Sequence, residues 1–182
     1  MPLVKTSKDE ILAKSTLLIW ERGFHQASFS ELSKACGIRN AHFYYYFKDK
    51  EDLMMQVLNT SYSFFEEKVF SIAHNKSLTA KVRLSKMVRL LDVIYTKNYG
   101  GCIFGNTVLE SAHNENPFLD VVKKMFDAYT AALKDIFSER LSEEEAQQLA
   151  IKTIQQVQGA LMMVRLYKDH SYIRNFLNSL EA

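Results

Sequence analysis

Arg39, Asn40, His42, Tyr44, Tyr45, Lys48 and Lys50 crowd one short stretch of this chain, and their side chains suit one chemistry. A guanidinium matches the O6/N7 edge of guanine and a carboxamide the N6/N7 edge of adenine, each through two hydrogen bonds. His42 can donate to guanine or rest on a phosphate. Tyr44 and Tyr45 offer phenolic hydroxyls to phosphate and ring edges to thymine methyls. Lys48 and Lys50 flank the expected start of a helix, where free N–H groups and the helix dipole favour phosphate. For Asn40 and His42 a plain solvent-exposed face is the competing reading.

The segment that must position these groups is SFSELSKACGIRNAHFYYYFKDKEDL, Ser28 to Leu53. Ser28 followed by Glu31 has the spacing of a capping box, so a helix is expected to open there. Phe29, Leu32 and Ala35 are read as its apolar stripe. Gly37 can take the left-handed conformation that ends a helix. Ile38 is then expected to plug the gap before a second helix, in which Phe43 and Phe47, four apart, face inward. Asp49 is a candidate cap for a third helix, with Asp52 completing its box. Two short helices joined by a glycine turn are the layout of a helix-turn-helix, which lays one helix in the major groove.

Helical periodicity continues to the C-terminus, with almost no alternating β-type runs. A long helix is expected over residues 49–74, with Leu53, Val57, Phe64, Phe65 and Val69 buried. A second runs from Thr79 to about Asn98, with Val82, Met87, Leu90, Leu91 and Ile94 as its apolar positions, and stops at Tyr99-Gly100-Gly101. A shorter one covers 102–113. Pro117 suits the first position of a helix reaching about Leu141. Ser142 with Glu145 opens a helix to Lys168, and residues 171–180 form a terminal one. The fold class is therefore all-α. An N-terminal three-helix unit (residues 1–53) precedes a larger helical unit (residues 54–182), with no flexible linker between them.

Residues 11–58 resemble the DNA-binding domain of TetR-type transcriptional regulators. The resemblance rests on Ile11-Leu12, Leu18-Ile19, Gly23-Phe24, Ser28, Leu32, Ala35, Gly37-Ile38, Phe43-Tyr44, Phe47, Lys50-Glu51 and Leu53, in register without a gap. Asn40, Ala41 and His42 depart from the basic, glycine and small hydroxyl residues common there, and Ala27 stands where threonine is frequent. These departures bear on base preference rather than fold. The resemblance implies contacts from Ser28, Arg39, Asn40, His42, Tyr44, Tyr45, Lys48 and Lys50 to a double-stranded operator. It also implies a homodimer built from the helices near 118–141 and 143–168. There Ala150, Ile151, Thr153, Ile154, Val157, Gly159, Ala160 and Leu161 have a companion stripe available in Val121, Val122, Met125, Ala128, Tyr129, Ala132 and Leu133, monomer core being the plain alternative for each residue. Residues 54–182 would thus be a ligand-binding and dimerisation domain.

A repressor of this kind needs an effector that binds one conformation better than the other. Tyr62, Phe65, Met87, Leu91, Tyr95, Cys102, Phe104, Asn106, His113, Phe126, Tyr129 and Met163 are the candidate walls of a pocket for a small apolar or aromatic molecule, with plain core packing as the alternative for the aromatics and methionines. Cys102 carries a second possibility. The segment GCIFGN resembles a branch of the family in which some members sense electrophiles or oxidants through a cysteine, and a helix N-terminus activates a thiol. A buried, inert cysteine is the plain alternative.

Composition excludes several other classes. With 182 residues, 47% hydrophobic, two prolines and six glycines, the chain is neither disordered nor repetitive. It has no apolar run long enough for a membrane span and no signal-peptide core, so a cytoplasmic location is expected. Cys36 and Cys102 suggest neither a disulfide scaffold nor a zinc ribbon. Net charge is only +2, and residues 1–48 carry seven Lys and Arg against four acids, an excess of three. So modest an excess requires two half-sites or help from backbone donors. An enzyme is the weakest reading. Cys102 and His113 stand eleven residues apart, about 16 Å along a helix, and neither metal-ligand spacing nor a phosphate loop occurs. No cofactor or metal is expected. A helical adaptor using the Tyr44–Tyr46 face is the third alternative.

Overall fold

The computed structural model describes residues 7–110 and 117–181, all helix, turn and bend. Three short helices come first: α1 (Lys8–Arg22), α2 (Phe29–Cys36) and α3 (Asn40–Tyr46). The fourth, α4 (Lys50–Phe64), passes without interruption through a π-helical segment (Phe65–Phe70) into a closing turn (Ser71–Ala73). Then follow α5 (Ala80–Tyr95), α6 (Ile103–Glu110), α7 (Leu119–Phe137), α8 (Glu143–Tyr167) and α9 (Ser171–Ser179). Among the described residues no helix is long and apolar enough to cross a membrane.

Local chemistry sets the boundaries. Full capping boxes open α1 at Ser7/Glu10, α2 at Ser28/Glu31 and α8 at Ser142/Glu145. Only the last two were expected. At α4 the box is offset: Asp49 accepts from Asp52 N at 2.7 Å, while the Asp52 carboxylate accepts from Lys48 N, one residue short of the cap. Gly37 ends α2 at φ 71°, as its place in the turn requires. Pro117 is not the first helical residue of α7, which opens two positions later with Phe118 as its cap.

One core runs the length of the chain. α1 packs on α2 and α4, α2 on α3, and the long fourth helix carries the bundle into α5 and α7. α7 lies along α8, which also holds α9. Three expected faces need correction. In α2 the buried set is Leu32, Ser33 and Cys36, while Ala35 is exposed. Small polar residues bury here because their groups are satisfied: Ser33 Oγ donates to Ser30 O, and Cys36 Sγ lies 3.7 Å from Ile11 O. In α5 Val82 is exposed and Arg83 is fully buried beside it. The Arg83 guanidinium donates to Ala73 O and Glu139, with Asp135 3.6 Å away, while its Nε has no partner. Phe64, expected inside, is 44% exposed.

Candidate nucleic-acid interface and ligand clefts

α3 presents a face to solvent. Phe43 and Phe47 are buried four residues apart and anchor it against the core, with the Phe29 ring tilted 5.2 Å from that of Phe43. On the opposite side Arg39, Asn40, Ala41, His42, Tyr44, Tyr45 and Lys48 are all exposed. Tyr45 is 83% exposed and Tyr44 62%, unusual for rings of this size. Ile38 is half-buried under the turn.

The expected contact residues are not equally free. The Asn40 carboxamide oxygen shares the one proton of buried Ser33 Oγ with Ser30 O, which ties the start of α3 to α2. A two-point match to adenine would require that bond to break. Ser28 is spent on its cap: its hydroxyl accepts from Glu31 N and lies 2.9 Å from Glu31 Oε2. Lys50 is folded inward. Its ammonium donates to His25 O at 3.1 Å and sits 4.6 Å over the Phe24 ring, and burial pushes it below its ordinary pKa against the pull of Glu110 and Glu31. Lys48 is exposed and is the freer cation.

The corner between α1 and α2 is clamped from the C-terminal unit. Glu110, the last residue of α6, accepts from Phe24 N at 2.8 Å and His25 N at 3.2 Å through one carboxylate oxygen. His25 Nε2 lies 3.1 Å from Glu110 O, and Phe118 meets the Phe24 ring edge-on at 5.5 Å. A side chain on Gly23, at φ 91°, would collide with the Glu110 carboxylate. Just before the other end of α6, Trp20 Nε1 donates to Gly101 O at 2.6 Å. A Cβ on Gly100 would lie 2.7 Å from Trp20 Cδ1 and closer still to Trp20 O. The segment 100–110 is therefore strapped across α1 at both ends. Nothing in local pattern signals this, since the partners lie more than eighty positions apart.

Two clefts flank that strap. One, of about 370 Å³, lies between α1, α4, the end of α5 and the start of α6; Phe65, Tyr95, Cys102 and Phe104 line it. The other, of about 630 Å³, lies between α6, α7 and α8; Cys102, Asn106 and Phe126 line it. Met87, Leu91, Tyr62 and Tyr129 are core side chains that line neither, and half-buried Met163 lines neither. His113 falls outside the described residues. Burial pushes the Tyr95 and Tyr129 phenols well up, so both stay protonated. It also pushes the Cys102 thiol up, against hydrogen bonds from Gly105, Gln158 and Phe104. Desolvation thus outweighs the helix N-terminus expected to activate it.

An outward aromatic and basic helix, braced by a capped helix and a left-handed glycine, defines a helix-turn-helix protein of the all-α class. Comparison with known proteins agrees. Residues 11–57 match the family model of bacterial regulatory proteins of the tetR family, and residues 84–178 match the C-terminal domain of LmrA/YxaF-like transcriptional regulators. The chain belongs to the TetR family of transcriptional regulators. It is similar to a TetR regulator of known structure from Legionella pneumophila, 27% identical, with a TM-score of 0.82 over 98% of each chain. It is 24% identical over 77% of its length to the probable HTH-type transcriptional regulator YttP of Bacillus subtilis, spanning 60% of that protein. It is 24% identical over 75% of its length to the fatty acid metabolism regulator protein of the same bacterium, spanning 69% of it.

Proposed function

We propose that the protein is a homodimeric repressor that holds an operator with one α3 from each protomer and is released by a small apolar or aromatic effector. The carrying observation is the exposed face of α3: Arg39, His42, Tyr44, Tyr45 and Lys48 point away from the core while Phe43 and Phe47 hold the helix down. Arg39 and His42 would read bases, and Tyr44, Tyr45 and Lys48 would hold phosphates. Residues 1–53 would act as the reading unit and 54–182 as the sensing and pairing unit.

Pairing is supported by a stripe on α8. Ile151 is 43% exposed, Met162 63% and Leu166 66%, and Gln155 and Gly159 continue the same line at three- and four-residue steps. Exposed apolar groups in a row mark a surface that gains by being covered. The residues first expected to form the companion surface, Val121, Val122, Met125, Tyr129, Ala132 and Leu133, are instead buried inside the protomer against α8. The pairing surface is thus mainly the outer side of α8. It relieves the charge shortage, because two protomers double the phosphate contacts.

Binding to duplex DNA selected from a random pool tests the reading. Affinity should fall steeply with salt. His42→Ala should alter sequence preference, whereas Lys48→Ala should weaken all duplexes and lower the salt slope by about one. Equal retention of duplex DNA at low and high salt would overturn the assignment.

A further inference from the structure

We infer that the cleft between α1 and the C-terminal unit is a binding site for a small amphipathic anion, an apolar body carrying one carboxylate. This rests on the regulator reading and names the effector class and its place. Four features converge on it. Its volume, about 370 Å³, suits a molecule of roughly a dozen to twenty heavy atoms. Its walls are aromatic, with Trp20, Phe64, Phe65, Tyr95 and Phe104 drawn from both units. Leu17 and Phe64 leave 43% and 44% of their surface in water at its edge, large apolar side chains that an occupant would cover.

Charge supplies the fourth feature. Lys97 is the one charged side chain lining the cleft, and among the described residues no carboxylate forms an ion pair with its ammonium. Lys97 is exposed and hydrated, so a neutral guest gains nothing from it, and a cationic guest would be repelled. A carboxylate reaching Lys97, with its apolar body among the rings, satisfies both parts of the wall. Register helps to shape the site. The π-helical segment starts at Phe65, and its wider turn follows directly on the cleft-facing residues Thr60, Ser61 and Phe64.

The position makes occupancy consequential. Ala13, Thr16, Leu17 and Trp20 belong to α1, so a guest touches the reading unit itself. Gly101, which accepts the Trp20 indole N–H, lies in the same wall. An occupant that separates α1 from Gly101 trades that hydrogen bond for its own contacts and tilts the three-helix unit. The bound conformation then differs from the empty one at the strap, which is what a differential ligand needs.

Trp20 is the chain's single tryptophan, so its emission reports this cleft alone. The full-length protein is titrated with 4-phenylbutyrate, its neutral twin 4-phenylbutanol, and decanoate, and retention of a selected operator duplex is followed on the same preparation. 4-Phenylbutyrate is expected to change Trp20 emission saturably, to bind about ten-fold more tightly than the alcohol, and to lower operator retention. Lys97→Met, a surface change that leaves the core intact, should remove the preference for the acid. A response to decanoate as well extends the class to acyl chains; a response to the aryl acid alone narrows it. No saturable change with any of the three, on protein that binds its duplex, overturns the site. Equal binding of alcohol and acid overturns the charge assignment. Saturable binding by a preparation that retains no DNA would keep the site and defeat the regulator reading.

Discussion

Glu110→Ala should loosen the reading unit from the rest of the molecule. In the native protein one Glu110 oxygen receives the Phe24 and His25 N–H groups at 2.8 and 3.2 Å. A hydrogen bond to a charged acceptor contributes about 1.5–3 kcal/mol when well shielded. Glu110 is half-buried at a corner open to water, so about 1 kcal/mol each is the fitting figure, roughly 2 kcal/mol for the clamp. That shifts the balance between docked and undocked corners about thirty-fold. For a chain of this length it also lowers the melting midpoint by about 4–8 °C. Glu110→Gln keeps an acceptor oxygen and should lose about half as much. Amide hydrogen exchange at Phe24 and His25, read beside a melting curve, measures both effects. Unchanged protection of those two amides in Glu110→Ala would refute the clamp.

Three further outcomes are expected. Arg83→Ala should destabilise by about 3 kcal/mol or more in a denaturant titration, since it leaves a cavity and an unpaired Ala73 carbonyl. Arg83→Met, which refills the space, should cost much less, and equal losses would show that the guanidinium contacts decide. Burial raises the Asp135 carboxyl, but hydrogen bonds from Lys76 and His74 outweigh it and set it below the ordinary 3.8. A depressed acid stabilises the fold above its unfolded value and loses that contribution as pH falls through the folded one, so Asp135→Asn should flatten the acid limb of the stability–pH curve below about pH 4. Finally, Met162→Glu should turn a dimer into a monomer in sedimentation without altering helix content, whereas Val93→Glu, also at an exposed apolar position but on α5, should not.

What could be read from residues alone was what neighbours in the chain decide. Ser28 with Glu31, Gly37, and Phe43 with Phe47 act within a few positions of one another, and the structure reproduces each. The Ser7/Glu10 box has the same signature, just ahead of the apolar pattern that begins at Ile11. Errors arose wherever a distant partner reversed a local preference. Val82 appeared the natural core residue of its turn, yet Arg83 is buried because Ala73, Asp135 and Glu139 receive it there. Lys50 suits a phosphate by its place at a helix start, and the local pattern gave no sign that its ammonium also meets His25 O across the α1–α2 corner. The stripe on α7 was correctly read as apolar, but periodicity does not say whether a stripe meets its own chain or a second copy.

The π-helical turns at Phe65–Phe70 bear on how this chain can vary. Such a segment holds about one more residue than an α-helical path of equal rise, so losing a single residue there would let it rewind as ordinary helix. Everything beyond would then keep its facing, with Ala73 still turned to the interior. Descendants of this sequence can therefore shed one residue within Phe65–Phe70, as well as lengthen or shorten at turns such as 75–78, with little harm. In the ordinary α-helical turns before that segment, Lys50–Phe64, the count is fixed, because a one-residue deletion there rotates all that follows by roughly 100°.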